Sequence, residues 1–249
     1  MSYDTKFLDT ESELRSYFLG LFMADGWIDN KGGVHISLVD KQIIDDLVVA
    51  TNYTNKVLNI VRKNNFGIQN MYRISYYKLY DKMKALGFIE KKTGNEFIPE
   101  RITYTFHHFL RGLSDGDGCL HFEQRPNKKY LNWEVICSSK EFLDKIIVNI
   151  NTIIGPNNIK VHIRSGTNFP VYRIRCNKHN EAIKICELMY SNCLIKLERK
   201  FQVYQEAKLI SVKEVLPWTE EEINLIKLGI DPPNRGRKSI REKRKKLIF

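Results

Sequence analysis

The sequence predicts an α+β fold of two pseudo-symmetric αββαββα halves, each with an antiparallel sheet, followed by a small helical C-terminal tail. Three observations predict it. An acidic, glycine-bearing motif occurs twice, once near the start and once near the middle of the 249 residues. The segments that follow each copy resemble one another in the same order. After about residue 212 the composition changes, and the last stretch is strongly basic.

The duplication sets the element order. "YFLGLFMADGWI" (17–28) resembles "HFLRGLSDGDGCL" (108–120), and aligning Asp25 with Asp117 gives an offset of 92 (117 − 25). "VHISLVDKQIIDDL" (34–47) matches "WEVICSSKEFLDKI" (133–146) at an offset of 99, and "YRISYYKLYDKMKAL" (72–86) matches "YRIRCNKHNEAIKICEL" (172–188) at 100. The jump of seven places an insertion in "EQRPNKKY" (123–130), whose Pro, Asn and Lys read as a hairpin tip.

Each half opens with an apolar helix ending in the acidic motif. Alternating strands follow. Leu120 and Phe122 share one face of "CLHFEQR". Ile159, Val161 and Ile163 oppose Lys160, His162 and Arg164, while Tyr172, Ile174 and Cys176 oppose Arg173 and Arg175. Period two marks a half-buried strand. A helix between the strand pairs runs from a Ser139 cap to Gly155-Pro156, and "HNEAIKICELMY" closes the half as another helix. Expected boundaries are 1–101 for the first repeat, 102–212 for the second and 213–249 for the tail.

Composition excludes several classes. At 43% apolar and 28% charged, the chain is typical of a globular protein. No run reaches the roughly 18 apolar residues of a membrane span, and the polar start "MSYDTKFLDTESEL" is unlike a signal peptide. The default expectation is a cytoplasmic, bacterial or phage-type protein, with an organelle as the alternative. Five cysteines lack C-x-x-C spacing and read as small buried hydrophobes. His107 and His108 are expected to point in opposite directions. The net charge of +11 favours a polyanionic partner, nucleic acid being the commonest. Lys160, His162, Arg164, Arg173 and Arg175 in one half, and Arg62, Arg73 and Ser75 in the other, form a basic strand face with few acids, suited to base edges in a major groove.

The motif itself poses a charge problem. Gly20 and Gly112 lie mid-helix, where glycine costs about 1 kcal/mol relative to alanine; their use is close approach of two backbones. Two such helices packed together bring Asp25 and Asp117 side by side, at the negative ends of both helix dipoles. Like charges there repel. A hard divalent cation, Mg²⁺ or Mn²⁺, would be the missing partner, and could activate water against a phosphodiester.

"FLGLFMADG" and "LRGLSDGDG" resemble the paired signature of the LAGLIDADG homing endonucleases, single-chain two-repeat type, over about residues 12 to 205. The second copy matches at its first, third, fourth, sixth, eighth and ninth positions. The first departs at Phe18 and Met23. The resemblance implies site-specific cleavage of double-stranded DNA by a monomer, with the two sheets forming a DNA-binding saddle. It also implies that Asp25 and Asp117, with the carbonyls of Ala24 and Gly116, hold metal. A basic residue after the last helix of each half assists in such enzymes. Lys92 and Lys200 are the best matches, with Lys91 and Arg199 adjacent to them. Lacking an initial Cys or Ser and a terminal His-Asn, the chain looks free-standing or intron-encoded rather than intein-derived. A non-cleaving nucleic-acid binder on the same fold, an intron RNA maturase or a transcription regulator, is the alternative.

In the tail, "WTEEEINLIKLGI" (218–230) reads as a Thr-capped amphipathic helix. Between Arg235 and Lys246 lie eight basic residues and one acid. Ile240, Leu247 and Ile248 would anchor a second helix there. The pattern is similar to a shortened helix-turn-helix or Myb-like module, with Arg235, Arg237, Lys238 and Arg241 as phosphate contacts.

Overall fold

The computed structural model describes residues 3–64, 67–125, 128–164, 170–210, 218–233 and 235–247. The chain divides into two units, Met1–Ser211 and Val212–Phe249.

In the first unit, helix α1 (Glu13–Asp25) begins where the Ser12 side chain accepts the Arg15 amide at 3.2 Å. Strands β1 (Gly26–Ile28) and β2 (Val34–Leu38), helix α2 (Lys41–Ala50) and strands β3 (Leu58–Asn64) and β4 (Gly67–Tyr76) follow, then a 3-10 turn (Tyr77–Leu79) and short helix α3 (Tyr80–Ala85). The second half repeats this with α4 (Phe106–Asp117), β5 (Gly118–Arg125), β6 (Lys128–Cys137), α5 (Lys140–Ile154), β7 (Lys160–Arg164), β8 (Val171–Cys176) and α6 (His179–Tyr190). A further helix, α7 (Glu198–Lys208), ends the unit.

Both sheets are antiparallel and share one topology, β1-β2-β4-β3 and β5-β6-β8-β7. Their central registers agree with the repeat offsets: Val34 faces Tyr76 as Trp133 faces Cys176, and Gly26 faces Ile36 as Gly118 faces Val135. The seven extra residues lengthen the β5–β6 hairpin, pairing Glu123 with Tyr130 and Arg125 with Lys128. Positions 126 and 127 of that tip lie outside the described residues.

The α1 and α4 helices pack against each other; α1 is apolar on nearly every side, and α4 is buried as deeply though it carries His108, Arg111, Ser114 and Asp115. Phe18, Leu19, Leu21, Phe22, Phe109 and Leu110 are fully buried. A helix apolar all round belongs at the centre of a fold. Here one side meets the other helix and the other side meets a sheet. Gly20 and Gly112 let the backbones touch: a side chain at Gly20 would strike the Phe109 carbonyl, and one at Gly112 the Tyr17 carbonyl.

Several sequence expectations need correction. Cys119 is exposed and Cys193 half-buried, so only Cys137, Cys176 and Cys186 are buried apolar cysteines; all five are free. The His107 and His108 rings do not diverge; their centroids lie 3.8 Å apart. His108 is buried, and burial followed by the nearby Arg111 pushes it down to about 3, so it stays neutral and its Nδ1 accepts from Arg111 at 2.7 Å. In the first half Arg62 faces Gln69 and Leu58 faces Arg73, so Arg62 lies on the sheet side that Arg73 and Ser75 occupy.

The second unit contains α8 (Glu220–Lys227) and α9 (Arg237–Leu247). Thr219 and Glu222 form a reciprocal capping box at the start of α8. Ile226 and Ile240 are buried, Leu247 is half-buried, and Ile248 lies outside the described residues.

Candidate active site

The two helix ends are built alike. Each helix runs directly into a strand through an extended glycine: Gly26 donates its amide to the Phe22 carbonyl, and Gly118 donates to Ser114. The last carbonyls of each helix therefore need other donors. Lys92 Nζ donates to Phe22 O at 3.0 Å, to Ala24 O at 2.6 Å and to Met23 O. Lys200 Nζ donates to Ser114 O at 2.5 Å, Gly118 O at 2.7 Å and Asp115 O at 2.9 Å. An ammonium has three N–H groups, and both lysines spend all three on helix ends. Each also brings positive charge to a negative dipole terminus. The neighbours Lys91 and Arg199 are placed elsewhere: Lys91 is exposed, and Arg199 grips Asp40 through two bonds of 3.0 and 2.9 Å.

The aspartates reach across the pseudo-dyad. A side chain added at Gly116 would collide with Ala24 and with the Asp25 carboxylate, so Asp25 lies over the last turn of the opposite helix. Asp117 in turn shares a cavity of about 190 Å³ with Ala24, Lys92, Glu96 and Cys137. The four residues expected to hold metal thus pair crosswise, Asp25 with Gly116 and Asp117 with Ala24.

Electrostatics follow from this crowding. Burial, then the Asp117 charge, pushes Asp25 up to about 6, against the pull of Lys92 and Lys200. Asp117 opens to solvent on one side, yet the protein packed around its base raises it too, with Glu96 adding to the rise and Lys92 opposing it. Both lysines are lowered by burial and supported by the acids around them.

The donor set fits a hard cation. Glu96 Oε2 is buried with no N–H or O–H partner and only the Cys137 thiol beside it, a costly state for an anionic oxygen. Carboxylates and carbonyls are the oxygen ligands that Mg²⁺ and Mn²⁺ take. Cys137 is no soft competitor, because burial pushes its thiol up to about 12. Among the described residues no cluster of three or more His, Cys, Asp or Glu could hold a metal alone. Carbonyls, water and substrate phosphate would have to complete the shell, as is usual for Mg²⁺.

The two motif copies differ beneath the surface. Asp115 is buried, and its Oδ2 accepts from Tyr17 Oη at 2.9 Å and from the Leu197 amide at 3.0 Å. It thereby ties α1, α4 and the start of α7 together. Met23 occupies the same motif position in α1 and makes no such link. Arg111, fully buried, donates to Glu13, Ile195 O and Met189 O at 2.7 to 2.8 Å. The motif comparison marks Asp115, which stands against Met23 and is expected to shape one helix end; nothing in the pattern marked Arg111, whose partners lie about 80 to 100 positions away.

The strand faces carry the expected bases, but with acids among them. Lys160 faces Arg175 and His162 faces Arg173, so these four share a side with Arg164. Glu134 lies on that side, 3.9 Å from Arg173, and Glu123 lies 3.3 Å from Arg175. The expectation of a face with few acids is corrected there. Period two would have found both, since Glu134 precedes buried Val135 and Glu123 follows Phe122. In the first half Arg73 stacks over Trp27 at 4.7 Å, and Ser75 Oγ is 2.8 Å from His35 Nδ1. Arg62 is exposed on the outermost strand. In the second unit Arg237, Lys238 and Arg241 are exposed, but Arg235 is not a free phosphate contact. It is bound to Glu222 at 2.8 and 2.7 Å and stacked on Trp218 at 4.6 Å.

No family model and no curated protein matches the sequence. Solved structures do. The I-LtrWI LAGLIDADG homing endonuclease bound to target DNA is 14% identical, with 94% of this chain and 97% of that one covered and a TM-score of 0.48. Full-length DUF199/WhiA from Thermatoga maritima is 18% identical, over 95% and 90% of the two chains, also at 0.48. The homing endonuclease I-WcaI bound to its DNA recognition sequence is 16% identical, over 77% of this chain and 87% of that one, at 0.51. The chain has the LAGLIDADG homing-endonuclease fold. In this LAGLIDADG fold the paired helices are α1 and α4, and no described helix is long and apolar enough to cross a membrane.

Proposed function

We propose that the protein is a monomeric, Mg²⁺- or Mn²⁺-dependent endonuclease that cuts double-stranded DNA at a specific site. The observation that carries this reading is the crosswise pairing of Asp25 and Asp117 with the last turn of the opposite helix, in a setting whose lysines have no N–H left for either carboxylate. Such an arrangement is repulsive by itself and useful only with a cation.

In this reading Asp25 with the Gly116 carbonyl, and Asp117 with the Ala24 carbonyl, hold the metal. When bound, the cation supplies the charge that makes water nucleophilic and steadies the departing oxygen. Lys92 and Lys200 hold the helix-end carbonyls in place and offset their negative potential. Arg62, Arg73, Ser75, Lys160, His162, Arg164, Arg173 and Arg175 face the DNA. Glu123 and Glu134 neutralise part of the charge of Arg175 and Arg173 on that face. The repeats would divide at 101/102 and the tail would begin at 213. Arg237, Lys238 and Arg241 would add salt-dependent phosphate contacts, with Arg235 supporting the fold of the tail instead.

The deciding experiment selects cleaved duplexes from a randomised library with Mg²⁺, using Ca²⁺ as control. Recovery of one asymmetric site, cut on both strands only with Mg²⁺ or Mn²⁺, is the expected result. Binding without cleavage under every metal would leave the chain a nucleic-acid binder on this fold.

A further inference from the structure

The two helix ends differ in how the acid beside each aspartate is neutralised. Next to Asp25 stands Asp40, whose two oxygens are taken by the Arg199 fork. That acid has its cation built in. Next to Asp117 stands Glu96, in the segment between α3 and α4, lining the same cavity. Its Oε2 is buried and takes no N–H or O–H donor; the weakly donating Cys137 thiol is the group beside it. Lys92 is the cation on that wall, and its three N–H groups are committed to Phe22, Met23 and Ala24 carbonyls. A buried carboxylate oxygen with no more than a weak thiol donor, beside a second carboxylate, is poorly compensated in the protein alone.

We propose that Glu96 is a third carboxylate ligand of the divalent cation at the Asp117 site, which makes the two metal sites unequal. The proposal rests on the metal-dependent reading above. Asp117, Glu96 and the Ala24 carbonyl supply three hard oxygens on one cavity wall, whereas the Asp25 site has a single free carboxylate. The Asp117 site therefore fills first as metal is added. Glu96 lies outside both copies of the acidic motif, so its role is a property of the segment between α3 and α4 and not of the motif.

Mn²⁺ binding to the full chain, without DNA, tests this through the electron paramagnetic resonance of the free ion. The wild type should give a tighter and a weaker site. Glu96→Gln should weaken the tighter one by about ten-fold or more and leave the weaker one unchanged. Asp117→Asn should remove the tighter site. Thermal unfolding supplies an independent sign. Without metal, Glu96→Gln should raise Tm, because an unpaired buried charge is gone; with Mn²⁺ its Tm gain should be smaller than the wild type's. An unchanged isotherm in Glu96→Gln, with the tighter site lost in Asp117→Asn, overturns the role of Glu96 and leaves the endonuclease reading standing. Unchanged binding in both variants sinks the two together. A lowered metal-free Tm with an undiminished Mn²⁺ gain makes Glu96 a structural residue and overturns the proposal.

Discussion

The first and second motif helices share a backbone plan and differ in what lies under it. At the end of α4, Lys200 is buried in the first turn of α7, and Asp115 fixes that helix through the Leu197 amide. At the end of α1, Lys92 comes from an irregular segment and is half-buried, with Met23 beneath it. One end is anchored by a helix and a buried acid. The other is held by a loop, and its cavity carries the unpaired Glu96. Duplication preserved the glycines that allow close packing, because a Cβ there meets backbone. It did not preserve the supports, because each half could satisfy its helix end in its own way.

The largest test of this comparison is chemical. Asp25→Asn and Asp117→Asn should each lower cleavage by at least about 10²-fold while duplex binding persists. Strand-resolved cleavage of a doubly end-labelled target reads both effects. Equal, wild-type cutting of both strands by either variant would remove that aspartate from the site.

Stability separates the two lysines. Lys200→Met leaves three buried carbonyls and Asp115 without their cation and should cost about 2–3 kcal/mol. Lys92→Met, at a half-buried position, should cost about 1 kcal/mol. Urea unfolding measures both, and equal losses would erase the proposed asymmetry of support.

Asp115→Met installs the first half's residue in the second. The Tyr17 hydroxyl and the Leu197 amide lose their acceptor, for a cost of about 1–3 kcal/mol. Strand-resolved kinetics should also slow at one of the two cuts only. A uniform change in both would mean that Asp115 supports the fold and not one site.

The pH dependence is subtler. Asp25 is raised from 3.8 to about 6, so the folded state keeps a proton that the unfolded chain releases. The Asp25 contribution to metal-free stability should therefore fall as pH rises from about 4 to about 6 and level off above, against the opposite slope that the depressed His108 gives over the same range. Asp25→Asn should remove that falling contribution, and cleavage should rise through the same window as the carboxylate becomes free to bind metal. Chemical denaturation at several pH values reads the slope.

The smallest effect concerns the strand faces. Glu134→Gln frees Arg173 from its partner and should tighten binding to random duplex and steepen its salt dependence by up to about one counterion. No comparable change is available at Arg73, which rests on Trp27 and not on an acid.

The sequence by itself determined the duplication, the strand faces, the helix-packing glycines, the two aspartates and the two lysines. All but the lysines are periodic or repeated, so each local segment reports them; the lysines came from the family resemblance. The insertion at 123–130 was also readable, though its effect on strand length was not. Tertiary structure alone decided that Asp25 and Asp117 each lie against the opposite helix end. It also decided that Arg235 belongs to Glu222, that Arg199 belongs to Asp40, that Asp115 braces α7, and that Glu96 enters the Asp117 cavity. These are pairings between residues far apart in the chain or in segments with no periodicity. Their energies come from burial and from the absence of other donors, and neither quantity exists until the two halves have packed.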